Sequence, residues 1–176
     1  MCERRAEGIA QSEDLQIFLP QALRSMPKMQ TRFIYSSLLP APLEKVWALC
    51  ADVSTINKIS PFFARVNFER VDLPLHAGAE IIFVGKYPPR MRWHARLEAF
   101  VKNSHFVDVQ VSGPFAFWRH QHIFKAHGDV TEMIDRVEFS LKGRRLWNQL
   151  AAPLIKMLLY FYFQYRHRLT RTLLSA

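Results

Sequence analysis

The run WNQLAAPLIKMLLYFYFQYRHRLTRTLL, residues 147–174, decides how the rest of the chain is read. At helical spacing Trp147, Leu150, Ala151, Leu154, Leu158, Phe161, Tyr162, Tyr165, Leu169 and Leu173 fall on one broad stripe, the mark of an amphipathic helix. At 1.5 Å per residue it is roughly 40 Å long, so it needs a large apolar surface to lie along. The preceding sequence predicts that surface as a set of short alternating segments. The consecutive rings Tyr160, Phe161 and Tyr162, followed by Phe163 and Tyr165, are bulky enough to prop such a helix away from a sheet and leave a pocket.

Working back from the helix, residues 131–141 and 117–125 read as two strands joined around His127-Gly128-Asp129. Residues 105–111 and 91–101 form another hairpin through Lys102-Asn103-Ser104. Its predicted register pairs Val101 with His105, Ala99 with Val107 and Leu97 with Val109, which keeps the apolar residues of both strands on one face. Residues 79–84 and 63–71 are two more strands, and residues 31–38 are the first. Between the first and second strands, Pro42 opens a short helix carrying Val46, Trp47 and Cys50, and Ser54 caps a second helical turn that Pro61 ends. The order is β, two short α, six β, then the long α, an α+β domain over residues 31–176. Residues 1–30 are polar and broken by Pro20 and Pro27, and are expected to form a poorly ordered extension. Met26 and Met29 are alternatives to Met1 as the natural start.

Composition narrows the class. With 176 residues and 49% hydrophobic content the chain is one folded domain with room for a cavity. Two cysteines, Cys2 and Cys50, give no disulfide framework and suit a reducing, cytoplasmic setting. The first residues do not read as a secretory signal, and no apolar run approaches the ~20 residues that span a bilayer. The net charge of +9 raises nucleic acid or an anionic membrane as partners. The arginines are scattered, and no basic run alternates with exposed aromatics on one helix, so nucleic acid is disfavoured. The cationic points Arg144-Arg145 and Arg166, His167, Arg168, Arg171 leave two readings: a solvated helix face, or peripheral contact with an anionic membrane.

The element order, the segment Leu39-Pro40-Ala41-Pro42-Leu43-Glu44-Lys45-Val46-Trp47 and the segment from Gly113 to Phe124 together resemble the START-like superfamily, also called helix-grip or SRPBCC, and its polyketide cyclase-like bacterial members. The resemblance implies a curved antiparallel sheet of about seven strands wrapped around the long helix, with a cavity between them. It does not imply one reaction.

Alternation places Trp118, His120, His122 and Phe124 on one face of their strand and Met133, Asp135, Val137 and Phe139 on one face of the next. A two-residue turn at Gly128-Asp129, or a four-residue loop from His127 to Val130, then sets Phe124 opposite Met133, His122 opposite Asp135, His120 opposite Val137 and Trp118 opposite Phe139. The apolar partners mark this face as inward. A buried His–Asp pair can anchor the sheet, orient a ligand, or move a proton. His-x-His is also a zinc arrangement, but a site needs a third and usually a fourth ligand, and beyond Asp135 none is evident. Asp52, Glu80, Glu98, Asp108 and Glu132 read as surface charges. No metal or cofactor is therefore assigned.

The expected binding residues are Trp93, Leu97, Val107, Val109, Trp118, His120, His122, Met133, Asp135 and Val137 on the sheet, facing Leu154, Leu158, Phe161 and Tyr162 on the helix. The expected function is binding of a hydrophobic or amphipathic, lipid- or polyketide-like small molecule. Alternatives are a cyclase or dehydratase using His122, Asp135 or His120, and an interaction protein with a filled core. The ligand and the oligomeric state stay open.

Overall fold

The computed structural model describes residues 30–143 and 145–175. The expected extension, residues 1–30, and the alternative starts Met26 and Met29 lie outside these residues, save for Gln30. The elements are β1 (Thr31–Leu39), α1 (Leu43–Cys50), β2 (Val66–Val71), β3 (Glu80–Gly85), β4 (Arg92–Val101), β5 (His105–Ser112), β6 (Phe115–His127), β7 (Val130–Leu141) and α2 (Arg145–Ser175). The seven strands form one antiparallel sheet in the order β1-β7-β6-β5-β4-β3-β2. The second short helix of the sequence reading is a single 3-10 turn, Val53–Thr55. Asp52 caps it, its Oδ1 accepting from Ser54 N–H at 2.8 Å.

Alternation built β1 as the sequence suggests: Phe33, Tyr35, Ser37 and Leu39 turn inward while Arg32, Ile34 and Leu38 are exposed. The β6–β7 hairpin has the expected register, with His122 opposite Asp135, His120 opposite Val137 and Trp118 opposite Phe139. Its two-residue turn holds Gly128 at φ +63°, where a Cβ is disfavoured.

The β4–β5 hairpin departs from expectation. Val101 pairs with His105 and Ala99 with Val107, but an irregularity at Glu98 shifts the pairing so that Leu97 meets Asp108, not Val109. One extra residue in a strand reverses the facing of everything beyond it. Leu97, Ala95 and Trp93 keep the inward face, and past the bulge Phe100 turns inward while Val101 is exposed. On β5 the inward residues are Phe106 and Asp108, which meet His122 and His120; Val107 and Val109 are on the opposite face.

Two cores hold the helices. Trp47, Val46 and Cys50 of α1 pack with Leu39, Phe124, Met133 and Leu174, and the Trp47 ring lies 5.3–5.9 Å from Phe100, Phe106 and Phe124. Such aromatic pairs contribute about 1 kcal/mol each beyond area burial. Phe163 of α2 packs with Val137 and Phe139, backed by Phe33, Ile155 and Leu159. Lys45 Nζ donates to the carbonyl of Leu174 at 2.9 Å, satisfying one of the open acceptors at the C-terminal end of α2.

The face that α2 turns to the sheet is not the expected one. Ala152, Phe163, Arg166, His167, Thr170 and Leu174 are buried, at spacings of three and four, with Ile155 and Leu159 half-buried between them. Leu154, Leu158 and Phe161 are 54–57% exposed, and Leu150, Met157 and Tyr165 share that outer side. The helix has two apolar faces, and counting hydrophobic residues favours the one without polar members. The packed face instead carries Arg166, His167 and Thr170: His167 reaches Asp135 on the sheet, and the Thr170 hydroxyl donates to the Arg166 carbonyl of its own helix. Among the described residues no helix is long and apolar enough to cross a membrane.

Candidate functional site

The inward faces of β5, β6 and β7 and the buried face of α2 converge on Asp135, whose exposure is 0%. His120 Nε2 donates to Asp135 Oδ1 at 2.8 Å and His167 Nε2 donates to Oδ2 at 2.6 Å. His122 Nδ1 approaches Oδ1 at 2.7 Å, but off the line of a good hydrogen bond. His167 Nδ1 lies 2.8 Å from Ser37 Oγ; with Nε2 as donor to Asp135, this nitrogen accepts from the Ser37 hydroxyl. Asp108 faces the histidine pair from β5, its Oδ1 3.5 Å from His120 Nδ1 and 3.5 Å from His122 Nε2. Phe106 stacks on His122 with ring centres 4.1 Å apart, fixing that imidazole against the sheet.

The electrostatics follow from burial and charge together. Burial alone would raise the pKa of Asp135; the charge of His122 and the hydrogen bonds from His120 and His167 overcome it and hold the carboxyl well below the usual range. Asp108 is likewise lowered, burial opposing and the two histidines prevailing. Burial, reinforced by the positive potential of His122, depresses His120, whereas for His122 the two carboxylates outweigh burial and raise the pKa. Arg166, 8% exposed, places a buried cation beside Tyr162; burial would lower its pKa, and its contacts with Tyr162 and the Asp135 carboxylate oppose this and raise it.

Three members of this cluster escaped the sequence. Asp108 read as a surface charge because the bulge at Glu98 leaves no mark in the residue pattern. Arg166 and His167 read as part of a solvated cationic face, yet they are on the buried stripe. The signal that could have found them is their spacing from Phe163 and Thr170.

A groove of about 870 Å³ runs along the second half of α2, between β1 and the turn at Pro61–Phe63. Tyr35, Phe115, Ile155, Leu159 and Tyr162 supply apolar wall, and Ser37 and His167 supply a polar patch that leads back to Asp135. Phe63, Leu158, Phe161 and Tyr165 line it and are 46–61% exposed, so the groove opens to solvent.

Of the expected binding residues, Leu158, Phe161 and Tyr162 line this groove. Leu154 is on the outer side of α2, and Trp93, Leu97, Trp118, Met133 and Val137 build the wall and core behind the cluster. His120, His122 and Asp135 are within the cluster and do not line the groove; its histidine there is His167.

No protein-family model matches the sequence, and no curated protein matches it. Solved structures do match. A protein from Thermus thermophilus superposes with a TM-score of 0.65 at 16% identity, covering 82% of this chain and 97% of its own. A START superfamily protein from Mycobacterium smegmatis gives 0.63 at 9% identity, over 82% and 97% of the two chains. The Zhui aromatase/cyclase from a Streptomyces species gives 0.65 at 12% identity, over 84% and 94%. The fold is START-like.

At these identities the likeness concerns the fold and not the chemistry. The START-like, helix-grip arrangement accounts for the curved seven-stranded sheet and the long C-terminal helix.

Proposed function

We propose that the protein binds a hydrophobic or amphipathic small molecule in the groove along α2. The observation that carries this reading is the groove itself: about 870 Å³, walled mainly by aromatic and aliphatic side chains, with Ser37 and His167 as a fixed polar patch. Ligand sites are commonly several hundred Å³, mostly apolar, with a few placed polar groups. Asp135 holds the His167 ring and Ser37 binds its other nitrogen, so the patch is rigid before any ligand arrives. An amphipathic molecule would lie with its apolar body against Phe115, Ile155 and Leu159 and its polar end at His167 or Arg168.

Loading from an anionic membrane fits the outer side of α2. Leu150, Leu154, Met157 and Phe161 are exposed at helical spacing, and Arg168 continues the same face seven residues after Phe161.

A second reading is an enzyme of the cyclase or dehydratase type. One observation favours it: His167, backed by a buried carboxylate, faces the groove, an arrangement suited to proton transfer. In that case the acid–base residue is His167, not His120 or His122. The matched structures include an aromatase/cyclase and a norcoclaurine synthase with a transition-state analogue, and catalysis in such a groove would owe much to positioning.

Displacement of a fluorescent fatty-acid probe tests the binding reading. Saturable binding of one probe per chain, weakened at least tenfold in Leu158→Asp, supports it. Binding unchanged by that substitution would place the probe elsewhere.

A further inference from the structure

We propose that Asp108, His120 and His122 form the binding site for one divalent transition-metal ion, with Asp135 as the carboxylate that holds the two imidazoles from behind. The three side chains each offer a ligand atom, and these atoms lie within 4.8 Å of one another. Asp108 Oδ1 is 3.5 Å from His120 Nδ1 and 3.5 Å from His122 Nε2. That spacing is long for a hydrogen bond, which prefers roughly 2.7–3.2 Å. It is close to the roughly 3.3–3.4 Å edge of a tetrahedron of ligands at about 2.0–2.1 Å from a zinc ion.

The two rings divide their nitrogens between two carboxylates. His120 turns Nε2 to Asp135 and Nδ1 to Asp108; His122 turns Nδ1 to Asp135 and Nε2 to Asp108. A histidine that ligates a metal through one nitrogen characteristically gives the other to a carboxylate, which fixes the ring and strengthens it as a donor. Asp135 is placed for that role on both rings at once, and His167 and then Ser37 steady it in turn. Asp135 makes close hydrogen-bonding contacts, whereas Asp108 faces both rings at the longer distance.

Access and ligand type complete the case. The Asp108 side chain is 21% exposed while the two imidazoles are 7% and 3% exposed, so an ion enters past Asp108. Among the described residues the group has three members, which leaves a coordination position for water or a bound molecule, as in catalytic and not structural zinc sites. Two imidazoles and one carboxylate suit zinc, iron(II), cobalt or nickel better than calcium or magnesium.

The test uses the full chain, stripped with EDTA and then titrated with Zn²⁺ by calorimetry and with Co²⁺ by visible absorption. One ion per chain is expected, with a melting temperature that rises with free zinc as linkage requires. Asp108→Ala should weaken zinc binding at least 100-fold and abolish the cobalt bands, and its partial exposure favours a folded variant. Asp135→Asn should weaken binding about 10–100-fold by releasing the rings. His94→Ala, on the outer face beside Glu80, should change nothing. Wild-type protein that binds zinc no more tightly than Asp108→Ala, or cobalt bands that survive both Asp108→Ala and His120→Gln, would overturn the proposal.

Discussion

Replacing Asp135 by alanine is the perturbation that the buried cluster makes most informative. The carboxylate has no exposure and accepts hydrogen bonds from His120 at 2.8 Å and His167 at 2.6 Å, with His122 at 2.7 Å. Hydrogen bonds to a charged acceptor contribute about 1.5–3 kcal/mol each. Deleting one partner of a buried charged network also strands the others, and such deletions cost about 3–5 kcal/mol. The contributions overlap, so the expected loss is about 4 kcal/mol out of a stability on the order of 10 kcal/mol. In a domain of this size that is roughly 10 °C in melting temperature. Urea unfolding of metal-free wild-type, Asp135→Ala and Asp135→Asn measures it directly. The asparagine keeps one acceptor oxygen and should lose less than the alanine. Asp129→Ala, at the exposed β6–β7 turn, should stay within about 0.5 kcal/mol of wild type. A loss below about 1 kcal/mol for Asp135→Ala would refute the view that this carboxylate organises the cluster.

Phe106→Ala should cost about 3 kcal/mol and Val109→Ala about 1 kcal/mol in the same unfolding assay, because the bulge in β4 puts Phe106, not Val109, against His122 and Trp47; the reverse order would sink the β5 facing. Burial pushes the Cys50 thiol up to about 12, so in a Cys2→Ser background DTNB at pH 8 should not label native protein and should label it once urea unfolds it. Fast labelling of the native state would show that α1 is not packed as described. Sedimentation with anionic vesicles should be strong at low salt and weaken in Leu154→Ser/Met157→Ser and in Arg168→Glu, and failure to sediment at any salt concentration would remove membrane loading.

The architecture was legible because its strongest signals are local. Alternation on β6 and β7 across a short turn allows one register, and that register sets His122 opposite Asp135. The remainder of the site was hidden for two physical reasons. A bulge is a backbone event with no residue signature, so Asp108 and Phe106 exchanged faces with Val107 and Val109 unseen. On α2, apolar side chains ring most of the helix, and the buried face carries Arg166, His167, which reaches Asp135 on the sheet, and Thr170, whose hydroxyl donates to the Arg166 carbonyl of its own helix. Hydrophobic periodicity ranks those residues last. The groove followed from the same rotation, which is why Leu158, Phe161 and Tyr162 line it while Leu154 does not.

Native mass spectrometry of protein purified gently from its own host tests the central claim most directly. A fraction of the chains carrying one additional mass of a few hundred daltons is expected, released by organic solvent and reduced in Leu158→Asp. Bare polypeptide in wild type, together with no saturable uptake of the fatty-acid probe by the same preparation, would contradict a ligand-binding groove along α2.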